Sequence, residues 1–137
     1  MQVRYKIKGV VSGWALLFDE ANGDAHEKFA PSFRDVIMKP GGYAAPSAPR
    51  YPLNNTECQL PLRWSQNYAT ADAAFDSIRA LRSAFKGLYV HLQVTVGAKV
   101  NYFPNATLAS TEHDQKGREM LHTLHFETDD ITSNDPS

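Results

Sequence analysis

The feature that most narrows the possible folds is a run of strict two-residue alternation, LYVHLQVTV, at Leu88–Val96. Leu88, Val90, Leu92, Val94 and Val96 fall on one side; Tyr89, His91, Gln93 and Thr95 fall on the other. A helix would scatter these residues around its axis, whereas a strand sorts them into an apolar and a polar face. The next turn, Val96-Gly97-Ala98-Lys99, has glycine at the first central position of a two-residue hairpin, a type II′ signal. Val100–Phe103 then returns, so the sheet is expected to be antiparallel.

The same period recurs along the chain. Val3–Lys8 alternates as a half-exposed strand, and Val10–Phe18 reads as a second, more buried one. Asn22-Gly23 marks a turn. In Glu57–Trp64 the inward row is Cys58, Leu60, Leu62 and Trp64; Pro61 lacks an N–H, which places this strand at an edge. Arg118–Phe126 puts Met120, His122, Leu124 and Phe126 on one face, after a polar stretch, Thr111–Gly117, expected as a loop. Two segments read as helix. After Pro31 the spacing of Phe33, Val36 and Ile37 suggests a short one within His26–Met38. The stronger is about 70–86, with Thr70 as cap, Asp72 in the first turn and a stripe of Ala74, Phe75, Ile78, Leu81 and Phe85.

The expected class is therefore α+β, mainly β: a small antiparallel barrel or sandwich flanked by one helix. Lys39–Asn55 is too dense in proline and glycine for either regular structure, and is expected as a long surface loop or as an arm lying against a partner through Tyr43 and Tyr51. At 137 residues the chain is expected to form a single domain with a real core, and the tail from 128 to 137 to fray.

With 14 basic and 15 acidic residues the chain has no basic excess of the kind a nucleic-acid binder carries. No segment is long and apolar enough for a signal core or membrane span. The one cysteine, Cys58, has no partner for an internal disulfide. His122 and His125 lie three apart on a strand, so they point to opposite faces and should not share a metal. His113-Asp114 reads as turn chemistry, and His91 faces away from the apolar side. No phosphate loop, nucleophile elbow or HExxH is present. No cofactor, metal or small-molecule substrate is expected.

Several phrases are similar to those of the prohead (capsid maturation) proteases of tailed bacteriophages. Gly13-Trp14-Ala15-Leu16-Leu17-Phe18-Asp19 followed by Glu27-Lys28-Phe29-Ala30-Pro31 resembles the family's G-[YW]-A-x-x-F-[DN] strand and E-x-[FI]-x-P phrase. Leu60–Asn67 resembles its L-x-W-x-H-D segment, Lys86-Gly87-Leu88-Tyr89-Val90 its GLYV strand, and Leu124–Glu127 with Thr132–Pro136 its closing phrase. The resemblance implies a compact barrel acting inside an immature head, with a serine nucleophile in an L-S-x-G segment and a histidine base.

Gln66 stands at the family's histidine position, and an amide cannot act as a general base at neutral pH. Leu108-Ala109-Ser110 is the nearest match to the nucleophile segment, with Thr111 and Glu112 following instead of glycine. The reading leans to a non-catalytic virion or head-assembly protein. It would be made in the host bacterial cytoplasm and bind the major capsid protein, other virion proteins or its own copies. Tyr89, His91, Gln93 and Thr95 join Tyr43 and Tyr51 as candidate interface residues. The alternatives are an active serine protease, with Ser110 and one of His91, His113 or His122 as base, and a different phage structural part or an unrelated β-rich binding module.

Overall fold

The computed structural model describes residues 1–10, 13–38 and 51–136. In chain order the strands are β1 (Gln2–Ile7), β2 (Ala15–Asp19), β3 (Ala25–His26), β4 (Ser32–Met38), β5 (Tyr51–Asn67), β6 (Val90–Val96), β7 (Lys99–Lys116) and β8 (Glu119–Thr128). One helix, α1 (Ala71–Phe85), lies between β5 and β6. Every strand pair is antiparallel, in the order β2-β1-β6-β7-β8-β5-β3, with β4 also on β5.

This path must curl. Its two ends, β2 and β3, are joined by residues 20–24 alone, a link that spans at most about 17 Å. A single 3-10 turn, Glu20–Asn22, begins that link on the side chain of Asp19, which accepts from Ala21 N. Gly23 ends it at φ 88, as the Asn22-Gly23 signal requires. Closure brings Phe18 of β2 onto Trp64 of β5, stacked at 4.7 Å. The result is a barrel-like mainly-β fold with one helix, as the alternation predicts.

The inward rows are those read from the sequence. Cys58, Leu60, Leu62 and Trp64 are all buried, as are Met120, His122, Leu124 and Phe126. Cys58, Leu60, Leu62, Trp64, Leu124 and Phe126 meet Val90, Leu92, Val94 and Phe103 in one core. Gly97 at φ 60 is the one left-handed residue of the β6–β7 turn, matching the type II′ form. Helix α1 is capped by Thr70, whose hydroxyl accepts from Ala73 N. It closes one side of the barrel by setting Phe85 between Tyr5 (4.8 Å) and Phe126 (5.3 Å).

Other expectations are corrected. The segment after Pro31 is strand β4, because β5 offers it a ladder and β-branched Val36 and Ile37 suit a pleated surface. The arm expected over Lys39–Asn55 ends earlier, since Tyr51–Asn55 belongs to β5; Tyr43 and the rest of 39–50 lie outside the described residues. Strand β5 is not an edge strand, as β8 pairs with it from Cys58 to Asn67. Pro61 instead occupies the gap on its other side, where β4 has ended at Gln59 and β3 has not begun at Trp64. The polar stretch Thr111–Lys116 is strand, completing the 18-residue β7. The tail is tied down: Thr132 bridges Tyr102, and Lys6 Nζ donates to Pro136 O at 2.9 Å.

Phe85 is fully buried and Phe75, one face round the helix, is 61% exposed. Phe85→Ala should lower the unfolding free energy by about 3–5 kcal/mol, and Phe75→Ala by less than about 0.5 kcal/mol. Equilibrium denaturation of the two variants checks this, and equal losses would contradict the placement of α1.

Candidate functional site

A cluster of polar side chains lies where α1 packs against β7 and β8. His122 sits in the inward row of β8 and is 0% exposed. Its cross-strand partner on β7 is His113, and the two Nδ1 atoms are 2.8 Å apart. On the other side of the ring, His122 Nε2 lies 2.8 Å from Tyr68 Oη and 3.4 Å from Ser77 Oγ of α1. Trp64 tilts against His122 at 5.1 Å, and its indole N–H donates to Gln66 Oε1 at 3.2 Å.

The protons in this cluster can be placed. A neutral imidazole has one donor and one acceptor nitrogen. His113 Nε2 is buried and has no hydrogen-bond partner among the described residues, so a proton there would leave a buried donor unsatisfied. The proton therefore belongs on His113 Nδ1, which donates to His122 Nδ1. His122 Nε2–H then donates to Tyr68 Oη, with Ser77 Oγ as a longer second acceptor at 3.4 Å. Ser77 Oγ–H in turn donates to Ala74 O at 2.6 Å. The last link is helix backbone, so the relay fastens α1 to the sheet.

Burial holds His122 neutral: it lowers the ring's pKa to about 4, with the neighbouring His113 adding to the effect. His113 is lowered as well, by burial first and then by the charge of Arg82. Burial pushes the Tyr68 hydroxyl and the Cys58 thiol up, so neither is an activated group. A fully buried His122 offers no approach to a substrate.

The residues singled out in the sequence are placed as follows. Ser110 is exposed on β7, opposite His125 of β8, and follows a bulge at Ala109. His113 and His122 face inward, so the sheet itself stands between them and Ser110. His91 is 2% exposed, with Nδ1 accepting from Asn105 N at 3.2 Å, so it does not belong to an outward row. Tyr89 is 58% exposed, while Gln93 and Thr95 are half-buried; Tyr51 lies at the start of β5, paired with Met38. Tyr68, Ser77 and the His113–His122 contact escaped the sequence reading. A signal for them exists: a histidine inside an apolar inward row needs a polar partner.

No protein-family model matches the chain, and no curated protein matches it. Seven chains of solved structures do. One belongs to the anti-feeding prophage baseplate, determined by cryo-EM with six-fold symmetrisation. It is 9% identical, with a TM-score of 0.51, and the match covers 96% of this chain and 89% of that chain. At such identity the likeness is one of fold. The likeness found is thus to a phage-related baseplate chain, and the phrases shared with prohead proteases are not accompanied by a family match.

Because His122 takes a proton near pH 6.5 when unfolded and near 4 when folded, the folded state binds fewer protons between these values. Stability should therefore fall as pH drops from about 6.5 to about 4, by up to roughly 3 kcal/mol. His122→Leu should be less stable at pH 7 and less pH-dependent across that window. Denaturant titrations at several pH values decide it, and an unchanged slope in the variant would refute the relay.

Proposed function

We propose that this chain is a non-catalytic structural component of a phage-type particle, built into a baseplate-like assembly beside other virion proteins and its own copies. The observation that carries the reading is the shared fold, which spans nearly all of both chains. The site geometry agrees with it. The candidate nucleophile, Ser110, lies on the opposite side of the sheet from His113 and His122, two of the bases considered for it, and shares its own face with His125.

The strands also supply what an assembly needs. β2 is hydrogen-bonded on one side only, and so is β4 among the described residues. Both edges can accept another strand. Beyond Cys58, β5 leaves β8 and pairs with β4 alone, as a ribbon of Arg34–Met38 against Tyr51–Glu57. A two-stranded ribbon is marginal in water by itself. Within it Thr56 Oγ1 donates to Asp35 Oδ1 at 2.7 Å, and Ile37 remains 45% exposed. Such a ribbon gains its stability by lying against a neighbour, the role expected of the arm that ends at Tyr51.

Fractionation of purified particles into heads and tails tests the assignment, with the chain quantified by mass spectrometry. It should travel with the tail-end fraction in a fixed ratio to the other proteins there. Recovery with heads would favour the capsid-shell role, and absence from particles would sink both. Ser110→Ala should leave particle yield and the processing of particle proteins unchanged; accumulation of uncleaved precursor would restore the protease reading.

A further inference from the structure

Among the described residues, one face of α1 has no partner within the fold. Phe75, Arg79 and Lys86 recur at helical spacing along it and are exposed, and with Asp76 and Arg82 they line a surface hollow of about 400 Å³ in which the cations outnumber the carboxylate. Phe75 is 61% exposed, more than any other large hydrophobic residue described. No carboxylate pairs with Arg79 or Lys86 among the described residues. Arg82, between them, is occupied by Thr111 Oγ1 at 3.0 Å. An aromatic ring rimmed by cations on a rigid helix is the composition of an interface anchor.

The complementary surface is on the same molecule. After β8 the chain turns through Asp129-Asp130-Ile131, where two carboxylates, Asp129 already held by Asn105 Nδ2, precede an isoleucine that is 39% exposed. This bend is preformed. Asp129 N donates to Pro104 O at 3.0 Å, Ile131 N to Asp130 Oδ1 at 2.8 Å, and Thr132 N to Tyr102 O at 3.0 Å. Asp130 has no cation beside it among the described residues. Both surfaces are ordered before they meet, so little side-chain or loop freedom is lost on docking.

The two lie apart within one chain. Arg82 sits over Thr111 in the second part of β7, whereas the bend is bridged to Tyr102 in its first part, on the other side of the Asn105 corner.

We infer that the outer face of α1 receives the Asp129–Ile131 bend of a second copy, with Ile131 against Phe75 and Asp130 between Arg79 and Lys86. Because two different patches are used, the contact is head-to-tail, the type that closes into rings. It rests on the assembly reading above and names the partner and the surface.

Charge exchange tests it on the full-length protein, by sedimentation velocity over a range of concentrations. Wild type should self-associate, and less so in high salt, since exposed pairs are screened. Phe75→Ala and the double variant Arg79→Glu/Lys86→Glu should each fold normally and require a roughly tenfold higher concentration to assemble. Asp130→Lys should do the same. Mixing Asp130→Lys with the Glu double variant should restore association, because the reversed charges again match. Assembly of the Glu double variant at the wild-type concentration overturns the inference, as does failure of the mixture to recover. A wild type that stays monomeric also overturns it, leaving the helix face to a different acidic partner. Particle incorporation of an assembly-competent Glu variant would show that the structural role stands while this surface assignment fails.

Discussion

The fold depends on β7 changing partners. Its first part, from Lys99 to Ala106, is bonded to β6; its second, from Thr107 to Lys116, is bonded to β8. The corner is Asn105, the one non-glycine residue with positive φ among those described, at 53°. Asparagine tolerates this region better than most side chains. Three contacts hold it there: its N–H donates to His91 Nδ1 at 3.2 Å, its Nδ2 donates to Asp129 Oδ2 at 2.6 Å, and Asp129 N returns to Pro104 O. The buried His91 is therefore part of the corner. Without that change of direction, β6 with β1 and β2 could not curl over β8 and β5, and Phe18 could not reach Trp64.

Against the curled sheet α1 makes two kinds of contact. Phe85 provides the apolar contact, between Tyr5 and Phe126. The His113–His122–Tyr68–Ser77 relay provides the polar one. A cluster of this composition resembles a catalytic site on paper, but burial and proton placement make it a fastening. Reactive chemistry needs a substrate route, and His122 has none.

Much of this was legible in the sequence, for a definite reason. Period-two alternation survives in strands that bury one face, so Cys58–Trp64 and Met120–Phe126 could be read directly. The helix was legible from its cap and stripe, although Phe75 falls outside the packed face. Strand β4 was hidden because Phe33, Val36 and Ile37 are spaced as a helix would space them; the non-local ladder with β5 decided the outcome. The relay was hidden for a related reason. The Gly117-Arg118 turn sets Lys116 opposite Glu119, and counting back from there places His113 opposite His122. That count becomes available only when the polar stretch before the turn is recognised as strand.

Among the described residues, open sheet edges, a two-stranded ribbon and an exposed helix face surround a buried core. The most direct measurement is a cryo-EM reconstruction of the particle that contains this chain. The expected map shows the barrel within the baseplate, with the ribbon of β4 and β5 lying against a neighbouring subunit. Density for the barrel in the capsid shell, or no density for it in any part of the particle, would contradict that expectation.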